Sequence, residues 1–508
     1  MLRARTWFAV LGAVVAAGSA ARAEPKTTYV RACPGPGVRC GALLAMQDGV
    51  PARPPSLPTP SYRPADLQAA YHIDPTLGAG VTIAIVDAYG YKNLASDLAM
   101  YRSHYNLPAC TVDNGCLRIV NEDGAASPLP TDTDAGWEAE TALDMDMVSA
   151  ACPLCNILVV QTEPGKLDAG VRGAQGLLPD AISASWGSIE NGGEIARELT
   201  YDHPGIGVFA ASGDNAYDSG GDGPEYPATS QYVVAVGGTR LVKSSVGGVY
   251  AEGAWSLAGS SCSKAIATPS YQPAAASAAC GMRASSDLSA VADPSTGVAV
   301  YESSAGGFLN VGGTSAATPL VAALMAAAGH GDATPAFVYR HPEAFRDVTT
   351  GMNGDCGTAL CTAGAGWDGP TGLGTPDQSV LATIGGGVGP ALTITSPATG
   401  SMQDAGFAIH VSTDASTAHV DLAVDGVRVA VAGPPFTLTV PAGVTLGLHD
   451  FTVTAFDGDH NAQRAAIQID VQAGGCSTSG GVGGISLGLV GVALVTSRRR
   501  RRDFSLNM

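Results

Sequence analysis

Residues 312–329 read GGTSAATPLVAALMAAAG. A glycine turn leads to an exposed serine, Ser315, and then to a helix. Pro319 suits an early helical position, where its fixed φ fits and its missing N–H is not needed. Leu320 to Ala328 is apolar throughout, so the helix is expected to be buried. Ser315 then sits at a buried helix N-terminus, whose free N–H groups can stabilise an oxyanion. A small-residue turn that presents a serine in this way suits a nucleophile. A capping serine in a glycine-rich turn is the alternative.

A serine nucleophile needs a base. The chain has nine histidines, and none lies in a His-Gly-Thr setting. The better candidate is AGWEAETALDMDMVSAACP, residues 135–153. Glu140 and Asp144 are four apart, so a helix puts both on one face. Two carboxylates that close push each other's pKa apart, and one tends to hold the proton. Glu140, oriented by Asp144, is then placed to take the Ser315 proton. A solvated acidic helix is the competing reading, given Asp134, Glu138 and Asp146 nearby. The third piece is GVFAASGDNAYDSGG, residues 207–221. Residues 207–211 read as a buried strand, and Asp214 lies in the turn at its carboxyl end, where α/β folds place ligand groups. A protonated Asp214 can donate to a developing oxyanion, which favours acidic operation.

Together these pieces resemble the sedolisins, the serine-carboxyl peptidases. Glu140-Thr-Ala-Leu-Asp144, Ser212-Gly213-Asp214 and Gly313-Thr314-Ser315 through Pro319 match that family's three motifs in order. The resemblance covers roughly residues 60–385. It implies a subtilisin-like α/β fold, a parallel sheet with helices on both faces. It also implies Ser315 as nucleophile, Glu140 as base, Asp144 as its partner and Asp214 in the oxyanion hole. Asp87, at the end of strand-like VTIAIVDAYG, fits a subtilisin-type alternative, but that alternative lacks its histidine. FRDVTTGMNGDCGTALCTAGAGWDGPTGLGTP, residues 345–376, matches the family's calcium loop. The match implies one calcium ion, with carboxylates from Asp347 and Asp368 and carbonyls from Val348, Gly364 and Gly366. Hard cations take oxygen ligands of this kind. SASWG, residues 183–187, resembles the family's substrate-cleft edge, where a peptide pairs as an added strand. Asp287 and Asp293 read as structural.

The rest of the chain sets the context. Residues 1–23 read as a secretory signal: Arg3 and Arg5, an apolar run, then Ala21-Arg22-Ala23. Residues 24–60, rich in Pro, Arg and Gly, read as an arm or linker, too short for the large propeptide of the sedolisins. The peptidase domain is placed at 61–385, with strands at about 81–86, 156–160, 181–185, 207–211 and 232–236 and helices at about 93–105 and 135–151. Residues 391–473 switch to short alternating strands, an Ig-like all-β sandwich. The tail, 474–508, combines Cys476, a short Gly-rich apolar run and Arg498–Arg502. It resembles myxobacterial sorting tails and points to membrane or cell-surface attachment. The eleven cysteines form five short-range couples, with Cys476 left over, which suits disulfides in an exported chain. A formal net charge of −18 argues against a nucleic-acid partner. The expectation is a secreted, surface-linked, monomeric endopeptidase acting on proteins or peptides. An inactive sedolisin-fold binding protein or an adhesin is the alternative.

Overall fold

The computed structural model describes residues 27–473 except 36, 53–60, 204, 385–388, 426 and 458–461. The expected signal segment and the tail with Cys476 lie outside the described residues.

The larger unit is built on an eight-stranded sheet. Its order is Tyr250–Ala254, Val233–Lys243, Gly207–Ala211, Ala181–Ala184, Thr82–Ala88, Asn156–Thr162 and Leu117–Asn121, with Leu288–Val291 also on Val233–Lys243. All pairings are parallel except that of Tyr250–Ala254. The central strands are buried along their whole length, as strands covered on both faces are. This is the α/β architecture that the alternating pattern predicts. Helix Ala135–Ala151 has the predicted bounds, and Asp134 caps it by accepting from the N–H groups of Gly136 and Trp137. It is not a solvated acidic helix: Glu140, Asp144 and Asp146 are all buried. It packs against helix Thr314–Ala327, which is buried throughout. Pro319 is the sixth residue of that helix rather than an early one. Having no N–H, it leaves the Ser315 carbonyl without its usual helical donor.

Three expectations are corrected. The arm is not a loose linker: residues 27–52 are woven into the body. Thr27–Arg31 pairs antiparallel with Leu43–Gln47, which pairs in turn with Gly307–Gly312. Arg39–Cys40 pairs antiparallel with Trp186–Ile189, the predicted cleft edge. Ser315 is not exposed but fully buried, because the arm lies over it. In the C-terminal unit the sequence reading passes over strands Ser401–Asp404 and Val427–Ala432. That unit is otherwise the predicted sandwich, a three-stranded and a five-stranded sheet around Ile409, Leu422, Leu438, Phe451 and Val453.

All five predicted cysteine couples are disulfides: Cys33–Cys40, Cys110–Cys116, Cys152–Cys155, Cys262–Cys280 and Cys356–Cys361. Asp287 is structural. It pairs with buried Arg283 at 2.6 Å and accepts from Tyr339 Oη at 2.7 Å. Asp293 caps the short turn Pro294–Thr296. Among the described residues no helix is long and apolar enough to cross a membrane.

Candidate active site

The site forms at the carboxyl edge of the parallel sheet, where such sheets place their ligand groups. Strand Thr82–Ala88 delivers Asp87, strand Ala181–Ala184 leads into Ser185, and strand Gly207–Ala211 leads into Asp214. Helix Ala135–Ala151 brings Glu140 and Asp144 from one side, and the first turn of helix Thr314–Ala327 brings Ser315. The four predicted catalytic residues therefore converge.

Asp214 meets the start of the serine helix. Its Oδ1 accepts from Thr314 N at 2.7 Å and Thr314 Oγ1 at 3.0 Å, standing in for a cap that Gly313 does not supply. Its Oδ2 is buried and makes no hydrogen bond. Burial pushes the carboxyl up to about 7, outweighing the Thr314 N–H and the Arg31 guanidinium, which favour the anion. A neutral Asp214 would carry its proton on the free Oδ2, the position of an oxyanion donor. The Ser315 N–H belongs to the same first turn, whose donors have no helical acceptors. Gly313 is required here. Its φ is +112°, and a Cβ would lie 1.7 Å from the carbonyl oxygen of Gly41.

Glu140 is fully buried and neither of its oxygens completes a hydrogen bond. Burial, then the charge of Asp87, pushes its pKa well up; the neighbouring Ser315 hydroxyl and Ala42 N–H pull the other way. Ser315 Oγ itself donates to the Ser185 carbonyl at 3.1 Å. Asp144 Oδ1 accepts from Ser185 Oγ at 2.8 Å, while its Oδ2 is unpartnered. Burial, then Asp87 and Glu140, raises its pKa as well. Three buried carboxyls without a cation beside them cannot all ionise, so the group shares protons.

Asp87 is the third of these carboxyls, and the sequence reading assigned it only to the histidine-dependent alternative. It is pushed up to about 7 by burial. No histidine approaches it in any hydrogen bond or ion pair of the described residues. It lies close enough to Glu140 and Asp144 for its charge to push both upward. Trp186 Nε1 donates to Val86 O at 2.8 Å and so ties the cleft edge to the strand that carries Asp87. The signal available in the sequence was the polar end of an otherwise apolar strand.

The predicted calcium loop brings Asp347 and Asp368 together. Asp368 is buried; its Oδ2 accepts from Gly364 N at 2.9 Å and its Oδ1 from Thr371 N at 2.9 Å. Asp347 Oδ2 accepts from Gly366 N at 2.8 Å. Burial, with the Asp347 charge adding, pushes Asp368 up to about 6, and no basic side chain pairs with it among the described residues. A buried carboxylate close to a second one fits a hard cation, although it is the N–H groups of Gly364 and Gly366, not the carbonyls expected of them, that meet the two carboxylates here. Among the described residues no cluster of three or more His, Cys, Asp or Glu gathers to hold a metal, so backbone carbonyls would complete any shell.

Comparisons with known proteins agree with this geometry. The subtilase family model matches residues 152–342, a range that contains Asp214 and Ser315 and begins just after the helix of Glu140 and Asp144. Kumamolisin from Bacillus sp. (strain MN-32) is 33% identical over 361 residues, covering 64% of this chain and 64% of that protein. The chain thus spans just under two thirds of that relative. Sedolisin from Pseudomonas sp. (strain 101) is 32% identical over 194 residues, covering 34% of this chain and 32% of that protein. The solved structure of Pseudomonas sedolisin, a serine-carboxyl proteinase complexed with pseudo-iodotyrostatin, overlaps with a TM-score of 0.56 at 23% identity, covering 63% of this chain and 97% of that one. That overlap establishes the sedolisin/subtilisin-like fold, and the matches together support the sedolisin family.

Proposed function

We propose that this chain is a sedolisin-family serine-carboxyl endopeptidase that hydrolyses peptide bonds of proteins in acid through an acyl-enzyme. The observation that carries the reading is the convergence of Ser315, a buried Glu140–Asp144 pair and an Asp214 oxygen with no partner. In the ionised state Glu140 takes the Ser315 proton as Oγ adds to the peptide carbonyl. Asp144, electrostatically coupled to Glu140, shares the pair's proton. The neutral Asp214 carboxyl and the Ser315 N–H donate to the oxyanion. Glu140 then returns the proton to the leaving amine, and water repeats the cycle to free Ser315.

The fit of the 347–368 loop supports one calcium ion in a structural role, held by Asp347, Asp368 and the carbonyls of Val348, Gly364 and Gly366. Bound there, it would neutralise two like charges and fix the loop. The signal-like start, the five disulfides and the tail support a protein exported to the cell surface and attached there through residues 474–508. An inactive binding protein of the same fold is the second reading. It is favoured by the filled cleft, in which Ser315 Oγ points at Ser185 O rather than completing a bond to Glu140. Digestion of a denatured protein across about pH 3 to 8 separates the two. Cleavage confined to acid, and absent from Ser315→Ala, is expected of the enzyme. Equal cleavage by Ser315→Ala, or none by the wild type, would end the proposal.

A further inference from the structure

A second cleft opens beyond the catalytic edge, on a different set of residues. Strand Val233–Lys243 pairs through Val236 with Ala211, just before Asp214, and then runs on past the edge of the sheet. Arg240 lies about 13 Å further along that strand, at roughly 3.3 Å per residue. The cleft there has a volume of about 420 Å³. Arg240, Val242 and Lys243 of the strand wall it, with Ser61 and Arg63 before helix Pro64–Ala70, and Thr296. The turn of Thr296 is tied to the nucleophile. Ala292 O accepts from Gly313 N at 2.6 Å, and Thr239 O accepts from the N–H groups of Ala292 and Asp293. The two clefts therefore share a wall.

Its charge is the reverse of the chain's. The sequence holds 45 Asp and Glu against 27 Lys and Arg, yet the cleft gathers Arg63, Arg240 and Lys243 around a single lining carboxylate, Asp66. Asp66 is saturated. Its Oδ2 accepts from Arg63 N at 3.2 Å and Arg63 Nε at 3.1 Å, and its Oδ1 from Lys243 Nζ at 2.9 Å and Tyr250 Oη at 3.2 Å. It holds two of the cations in place without using them up. Among the described residues the Nη groups of Arg63 make no hydrogen bond and the Arg240 side chain makes none at all, with Asp293 a loose partner at 3.8 Å. Both guanidinium side chains are more than half exposed. Val242, exposed between Arg240 and Lys243 in the strand, offers an apolar contact for the stems of longer side chains. Ser61 is only 5% exposed, and its Oγ has no hydrogen-bond partner. Buried hydroxyls are normally paired, so the missing partner points to a ligand oxygen.

We propose that this cleft is an auxiliary peptide site that binds an acidic segment of the substrate protein while the bond to be cut lies at Ser315. The bound protein's being a substrate rests on the peptidase reading above; the binding of acidic peptide does not. Guanidinium groups pair with carboxylates through two parallel N–H donors, and Arg63 and Arg240 keep such donors free. A cleft of about 420 Å³ is too roomy for one small anion, whereas an extended run of Asp or Glu fills it. The site also answers an electrostatic problem. A chain of formal net charge −18 repels acidic substrates, and a positive cleft beside the catalytic edge draws them to the side where cleavage occurs. Glutamates ionise above about pH 4, while Asp214 keeps its proton below about 7, so binding and cleavage overlap in weak acid. Contacts made here are the same in the ground and transition states, so they lower KM and leave kcat.

The test uses the full chain as Ser315→Ala, which cannot consume its ligand, with fluorescein-labelled hexaglutamate as the probe at about pH 6 and low salt. Anisotropy should show binding that is lost in about 0.5 M salt and is absent for hexaglutamine. Arg498–Arg502 would bind the same probe, so the difference between variants is the readout. Adding Arg240→Glu should weaken binding about fivefold or more, and Arg240→Lys should largely keep it. With active enzyme, a reporter peptide extended by glutamates should show a KM about fivefold below that of its glutamine counterpart at equal kcat, and Arg240→Glu should erase the difference. Equal hexaglutamate affinity in folded Arg240→Glu, or equal KM for two reporters that are both cleaved, would overturn this inference and leave the peptidase reading standing. Hexaglutamate binding that depends on Arg240, with neither reporter cleaved by folded wild type, would refute the peptidase reading and keep the acidic-peptide site.

Discussion

Replacing Asp214 separates two properties of one carboxyl, its shape and its proton. Oδ1 is committed to Thr314, and Oδ2 is the free oxygen. In Asp214→Asn the amide oxygen can keep the Thr314 bonds, while Nδ2 presents a permanent donor where Oδ2 had needed a proton. In Asp214→Ala both are gone. The wild-type carboxyl, pushed up to about 7 by burial, is a donor below that pH and loses the proton above it. Activity that depends on it should fall about tenfold per pH unit beyond that point. Losing one oxyanion donor costs on the order of 10²–10³ in kcat. We therefore expect Asp214→Ala to lose that factor in acid, and Asp214→Asn to lose much less and to show a shallower fall toward alkaline pH. The assay is kcat and kcat/KM on a reporter peptide against pH for the three proteins. Equal losses in Asn and Ala variants, with the same alkaline limb as wild type, would refute the donor role.

Other outcomes follow from the same carboxyls. Glu140→Gln should cost several orders of magnitude in kcat, because base and nucleophile act as a unit; single-turnover kinetics check this, and a loss confined to KM would contradict it. Asp87 and Asp214 each hold in the fold a proton that the unfolded chain releases near pH 4, so their stabilisation is complete below that pH and is lost as pH rises to about 7, by at most about 4 kcal/mol each. Tm should then fall between about pH 4 and 7 in Ser315→Ala, and a Tm that rises over that window would contradict the sign. Chelator should lower Tm by mass action and Asp368→Ala should remove that response; identical melting curves with no calcium by elemental analysis would dismiss the ion.

Much of this arrangement is legible in the sequence, because the informative signals are local. Glu140 and Asp144 share a helix face by spacing alone, and the bounds of that helix follow from Asp134 as cap and the break before Pro153. The glycine turn before Ser315 and the apolar strand before Asp214 fix the other two groups. The five disulfides are short-range and were readable as couples. The arm was misread for the opposite reason. Its composition is that of a linker, and its structure comes from partners far along the chain, Trp186–Ile189 and Gly307–Gly312. Gly41 carries no sign of its role in its own neighbours; its meaning is Ser315 and Asp214, which touch it only in the fold. Asp87 was visible as a polar strand end, but its relation to Glu140 and Asp144 depends on a helix crossing that strand.

Acid quenching of the purified protein during turnover of an activated peptide ester, followed by peptide mapping, examines the nucleophile directly. The account predicts an acyl adduct on the peptide that contains Ser315, accumulating at about pH 5 and absent from Ser315→Ala. Turnover of the ester with no adduct, or with the adduct on another residue, would contradict it.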